Sequence, residues 1–259
     1  MALNKVKEIR PMSDWQVQVL RFTAFYNPEE QFDISSWWSE LTGEIPETET
    51  KKLKEGVNIE EGPFKDGMLT LTKAPFVIDL RYQLPNNPPN EVNGIPAIGS
   101  LEDQCPDFIG LVKKLFEVTE FPSINRMAFG SIINLPSKDK KEGYTQLSAY
   151  LKNVKIDPVN SSEFMYQINR RRNSTVGIEG LEINRLNKWS VAAIAYKIVS
   201  ASPLEGQVKT TELSYACHLE IDINTCQEFQ NNLPKEKLSE IFDEIVCMGK
   251  EIITKGDIE

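Results

Sequence analysis

The chain contains one histidine, His218, so any Ser-His-Asp or Cys-His mechanism would have to use it. His218 lies in the run from Leu213 to Asn224, where Leu213, Tyr215, Cys217, Leu219, Ile221 and Ile223 alternate with small or polar residues without a break. That two-residue period predicts a half-buried strand, and strand parity puts His218, Glu220 and Asp222 on one face. Side chains two apart on a strand stand roughly 6.5–7 Å from one another. These three could therefore converge on a metal ion, or supply an acid/base pair, in a metal-dependent hydrolase. The same spacing equally describes a solvated sheet face whose charges pair across neighbouring strands. Cys217 points to the opposite face, which argues against a Cys217–His218 dyad.

Arginine forms the second pattern. Three Ile-Asn-Arg triplets end at Arg126, Arg170 and Arg185, and Arg171 and Arg172 extend the middle one. In extended chain each arginine shares a face with the isoleucine two residues before it. An arginine at the end of an apolar face can hold a carboxylate or phosphate with two parallel hydrogen bonds. Tyr166 and Trp189 lie nearby and could stack on bases, so these arginines also make a candidate nucleic-acid contact. The competing reading is that they pair with the chain's own carboxylates. Trp37 and Trp38 form a third feature: one packs inward, and an exposed partner would mark a protein interface.

Composition narrows the classes. The chain has 259 residues, 40% hydrophobic and 26% charged, which suits a folded protein with a sizeable core. Its net charge of −9 opposes nucleic acid and anionic membrane on average. Residues 27–62 carry ten acidic residues and three lysines, a local charge of −7. Residues 163–197 carry six basic and three acidic residues, the one basic region at +3. Cys105, Cys217, Cys226 and Cys247 form no C-x-x-C pair, and the charged first ten residues lack the apolar core of a signal peptide. Reduced thiols in a cytoplasmic protein are expected, with no membrane span, metal or other cofactor required for the fold. No Walker A, G-x-G-x-x-G, G-x-S-x-G or H-E-x-x-H motif occurs.

The elements that must position these groups are legible in part. Apolar alternation predicts strands over 15–26, 57–62, 68–73, 76–84, 124–135, 163–173, 189–199 and 213–224. On 76–84, Asp79, Arg81 and Gln83 share the polar face. On 15–26 the apolar phase shifts near Leu20, which predicts a bulge. The run 189–199 is apolar on both faces and reads as a central strand covered twice. Helical spacing predicts helices over 34–42, 107–120, 143–153 and 235–254, with Asp33 and Asp107 as N-caps and Pro122 as a stop. The stretches 84–96, 136–142 and 202–209 read as loops.

The order suggests a repeat. Residues 1–122 and 123–259 each read as β-α-β-β-β-α, although no residue-level repeat is visible. The fold expected is α+β: a mainly antiparallel sheet with helices on one side, built from two related halves packed as one unit.

Four segments of the second half carry a resemblance. INRMAFGSIINLP (Ile124 to Pro136), YLKNV (Tyr150 to Val154), HLEIDIN (His218 to Asn224) and IFDEIVCMGKEIIT (Ile241 to Thr254) follow in that order. They resemble an uncharacterised, sporadically distributed family of bacterial proteins of about this length, often encoded in mobile-element or defence neighbourhoods. The resemblance implies an α+β fold and a role in genetic conflict, and it assigns no activity and no site residues. The expected function is a non-enzymatic component of such a system that binds a protein partner, or a second copy of itself. The alternatives are a nucleic-acid-binding module around Arg170 to Arg172, and the hydrolase at His218, Glu220 and Asp222.

Overall fold

Apolar alternation becomes strand, and helical spacing becomes helix, in a computed structural model that describes residues 8–85, 90–92, 94–194, 197–199, 208–210 and 213–257. The first stretch holds β1 (Gln16–Tyr26), α1 (Trp37–Thr42), β2 (Thr48–Lys52), β3 (Val57–Phe64), β4 (Gly67–Ala74) and β5 (Val77–Gln83). A short hairpin, β6 (Asn90–Val92) and β7 (Ile95–Ala97), leads into α2 (Leu101–Glu117). Then come β8 (Ile124–Ser137), α3 (Lys140–Tyr150), β9 (Met165–Asn169), β10 (Arg172–Asn173) and β11 (Glu182–Ile194). The hairpin β12 (Lys197–Val199) and β13 (Val208–Thr210) precedes β14 (Ser214–Thr225) and α4 (Leu238–Lys255).

Among the described residues, ten strands form one antiparallel sheet in the order β10-β11-β14-β8-β1-β5-β4-β3-β2, with β9 also pairing β11. At its middle β1 lies against β8, with Arg21 opposite Gly130 and Phe25 opposite Arg126. The register shifts between Val17 and Val19 and again between Phe25 and Tyr26. The first shift is the bulge that the apolar phase change near Leu20 signals.

One face of the sheet carries the helices. Phe22 of β1 meets Phe116 of α2 and Phe242 of α4 edge-on, at ring-centroid distances of 5.4 and 5.5 Å. Phe129 of β8 packs on Phe108 and on Phe242. Trp189 of β11 stacks on Tyr150 at 5.0 Å, and Trp15 closes on both. Each such ring contributes about 1.5–3 kcal/mol by leaving water, so this layer holds the helices down. Among the described residues, no helix covers the other face. At one end of that face Asn134 and Ala216 are buried, where β7 comes against β1 and β14. Elsewhere its side chains are exposed or half-buried, apart from the buried Thr23 and Asn224.

Several expectations need correction. Helix α2 starts at Leu101 rather than Asp107; Ser100 caps it by accepting from the Asp103 N–H at 3.2 Å, and Pro106 lies inside the helix. Asp107 instead pairs with Lys65. Helix α3 starts at Lys140, inside the expected 136–142 loop, because Asp139 accepts from the Glu142 N–H at 2.8 Å. The doubly covered central strand is not found: β11 is next to the sheet edge, and Ala193 is exposed. Trp37 and Trp38 are both buried, at 0% and 2% exposure, so neither offers an interface. Trp37 stacks on Phe32, and Gly62 leaves room for the Trp38 ring. The 84–96 loop contains the β6–β7 pairing, and its residues 86–89 and 93 lie outside the described residues. Most of the expected 202–209 loop lies outside them as well. Beyond the expected strings, the first stretch adds β2 and the β6–β7 hairpin. In the second, the expected strand 163–173 divides into β9 and β10. The expected strand 189–199 divides between β11, which starts earlier at Glu182, and β12, and β13 begins inside the expected 202–209 loop.

Cys105, Cys217 and Cys226 are buried free thiols and Cys247 is an exposed one. Among the described residues no helix is long and apolar enough to cross a membrane.

Candidate binding cleft on the uncovered sheet face

Antiparallel register sets the uncovered face in rows. One row runs Arg81, Arg21, Gly130, Asp222, Leu186 across β5, β1, β8, β14 and β11. The next runs Asp79, Thr23, Ala128, Asn224, Asn184. On the other side lies Gln83, Val19, Ile132, Glu220, Lys188. The central strand β8 thus contributes Ala128, Gly130 and Ile132, two of them the smallest side chains available. Longer side chains stand on both flanks, and the result is an open cleft of about 510 Å³. That volume falls within the range of ligand-binding clefts.

The charges around the cleft are mostly paired. The Arg21 Nε donates to Asp79 Oδ1 at 2.5 Å, and the Thr23 hydroxyl donates to the same oxygen at 2.8 Å. Lys188 Nζ donates to Glu220 Oε1 at 2.8 Å. Arg126 lies over the Phe25 ring at 5.0 Å, and donates to the Thr225 carbonyl at 3.1 Å and to Asn224 Oδ1 at 2.9 Å. Two charges differ. Arg81 is exposed and makes no hydrogen bond or ion pair among the described residues. Asp222 is exposed and accepts from Asn224 Nδ2 at 2.9 Å, and makes no ion pair among the described residues.

The histidine strand takes the parity expected, and His218, Glu220 and Asp222 face the same side. Only two of them meet. His218 Nε2 lies 3.2 Å from Glu220 Oε1, while its Nδ1 lies 2.8 Å from Asn134 Oδ1. Burial pushes His218 below its ordinary range, against the pull of Glu220. Burial also works to raise Glu220, but the hydrogen bonds from Lys188 and His218 outweigh it and hold the carboxyl below its ordinary value. Glu220 is thus occupied by Lys188 and the imidazole, and Asp222 turns to Asn224. Among the described residues, no group of three or more His, Cys, Asp or Glu side chains is placed to hold a metal ion.

The arginine set is divided among three places. Arg126 lines the cleft. Arg170, Arg172 and Arg185 lie on the helix-covered side, near the end of α4. Arg170 makes a two-pronged contact with Asp257 at 2.8 and 2.9 Å, and the Tyr166 hydroxyl donates to the same carboxylate at 2.6 Å. Glu251 Oε2 accepts from Arg172 at 2.8 Å and from Arg185 at 3.2 Å. Burial, reinforced by the Arg172 charge, lowers the Arg185 pKa. The Arg170 hydrogen bond holds Asp257 below its ordinary value. Arg171 sits on the outside, between Glu182 at 3.2 Å and Glu228 at 2.9 Å. Of the five arginines, only Arg126 therefore lines the cleft; Arg171 reaches the rim of the open face, where its Nε donates to Asn184 Oδ1 at 3.3 Å.

Arg21, Arg81 and Gly130 were not singled out by spacing as site residues. Arg81 had a signal, since it shares a polar face with Asp79 and Gln83. Arg21 and Gly130 had none, because their importance depends on β1 and β8 becoming neighbours. No family model matches the chain, and no curated protein or solved structure shows significant similarity to it.

Proposed function

We propose that this chain is a binding protein that engages a protein partner through the uncovered face of its sheet. The observation that carries this reading is the cleft along β8, floored by Ala128 and Gly130 and flanked by Arg81 and Asp222, which form no ion pair among the described residues. A sheet face left without helices is stabilised when a partner covers it. The mixed charge favours protein over nucleic acid. Arg21 and Lys188 are each neutralised by a neighbouring carboxylate, so no continuous basic stripe runs along the cleft.

Two related halves make a coherent frame for this surface. From the central β1–β8 pair the strands run outward as β1-β5-β4-β3 on one side and β8-β14-β11-β9 on the other. In each half a helix follows the first strand and another follows the last. This supports halves at 1–122 and 123–259, meeting where the cleft lies. A role in a bacterial defence or mobile-element system follows from the family resemblance.

The test replaces Gly130 with arginine. A Cβ at this position would find its nearest neighbours at 3.5 and 3.7 Å, so the backbone accepts the change while the long side chain fills the cleft. Protein partners are captured from cells carrying the native locus, with wild type, Gly130→Arg and the surface control Lys235→Glu. Loss of a partner with Gly130→Arg alone supports the reading. Full retention of every partner by a folded Gly130→Arg protein overturns it.

A further inference from the structure

We infer that the cleft reads an extended peptide segment lying across the strands, with an acidic side chain set against Arg81 and a basic one, four residues away, set against Asp222. This rests on the uncovered face being the binding surface, and it names what that surface recognises.

The geometry comes from the register. Arg81 on β5 and Asp222 on β14 stand in one row, separated by Arg21 on β1 and Gly130 on β8. Three strand spacings place their backbones roughly 14 Å apart. An extended peptide rises roughly 3.3 Å per residue, so its residues i and i+4 are roughly 13 Å apart and point to the same face. A helix would cover only about 6 Å over the same four residues. A four-residue spacing between the two charges therefore fits an extended ligand and not a helical one.

The residues between the two charges fit the middle of such a segment. Arg21 is held aside by Asp79 and does not compete for the acidic group. Gly130 presents no side chain, so the i+2 side chain of the ligand has room to point down. Val19 and Ile132 border that space with apolar surface. Among the described residues, the charges at the two ends of the row are left without an opposite charge. An exposed guanidinium and carboxylate kept apart in this way favour a ligand with complementary charges over a uniformly charged one.

The experiment uses blocked, fluorescently labelled peptides of Thr and Val that carry one Glu and one Lys with one, three or five residues between them. Binding to the full chain is followed by fluorescence polarisation at low salt. The three-residue spacing is expected to bind best, and Arg81→Glu and Asp222→Lys are each expected to weaken it roughly three- to tenfold. The double variant Arg81→Glu/Asp222→Lys is expected to recover binding, because the peptide can lie in the opposite direction. Structural damage would not give such recovery. Equal binding at all spacings, no binding, or no recovery in the double variant overturns the inference. If Gly130→Arg still abolishes partner capture in that case, the binding face stands and only the peptide rule fails. If Gly130→Arg leaves capture intact, both fail.

Discussion

Arg185 and Glu251 meet at 3.2 Å beneath the helix layer, and Arg185 is only 1% exposed. Among the described residues its Nε and Nη1 have no hydrogen-bond partner, so Glu251, with the more distant Asp257 charge, carries the compensation of a buried cation. Glu251→Gln leaves that charge buried and is expected to destabilise the fold by about 3 kcal/mol. Arg171→Ala removes only exposed pairs and is expected to change stability by less than about 0.5 kcal/mol. Urea denaturation of the two variants measures the contrast.

Glu60 is 2% exposed on β3, opposite Glu49 of the edge strand β2. Burial, assisted by the Glu49 and Asp33 charges and opposed by Lys51, pushes its carboxyl from 4.5 up to about 7. A raised pKa means that the folded state binds the proton more tightly. The stabilisation is fully present below about pH 4.5 and is lost as the pH rises through about 7. Glu60→Gln is therefore expected to gain about 2–3 kcal/mol relative to wild type at pH 8, and almost nothing at pH 4.5. Denaturation curves of both proteins at the two pH values check it; a pH-independent difference contradicts it.

Gly256 ends α4 with φ of 82°, and a Cβ there would lie 2.1 Å from the Tyr150 carbonyl oxygen. The close approach lets the Asp257 N–H donate to that oxygen at 3.0 Å, which ties α4 to α3 and positions the carboxylate that receives Arg170. Gly256→Ala meets both a strained backbone and a clash, and is expected to cost about 2 kcal/mol or more. Faster amide exchange at Asp257, measured beside thermal stability, would show that this tie is what loosens.

Trp189 Nε1 donates to Asn187 Oδ1 at 2.8 Å, and both residues are buried. Trp189→Phe keeps an aromatic ring but leaves that oxygen without a donor and opens space beside Tyr150. The expected loss is about 2–4 kcal/mol. The further change Asn187→Leu removes the orphaned oxygen and is expected to restore part of it. Calorimetry on the single and double variants separates cavity from polar loss.

Much of the fold was legible where local periodicity operates. The alternation from Leu213 to Asn224 put His218, Glu220 and Asp222 on one face, and strand β14 bears out that parity. The apolar spacing of Leu238, Ile241, Phe242 and Ile245 marked α4. Boundaries suffered where local signals competed. Asp107 read as an N-cap, yet Ser100 had already capped the helix. Trp38 is buried because Gly62, far along the chain, makes room for it.

Residue spacing alone determined the α+β class, the longer elements, and which side chains share a strand face, because parity and helical period are properties of a few neighbouring residues. Tertiary structure decided the site. Arg81, Arg21, Gly130 and Asp222 became one row only when β5, β1, β8 and β14 paired in that order. Arg170, Arg172 and Arg185 were withdrawn from the open face because Asp257 and Glu251, at the far end of the chain, reach them from α4. Strand order and long-range charge pairing arise from packing between distant segments, and no local pattern encodes either.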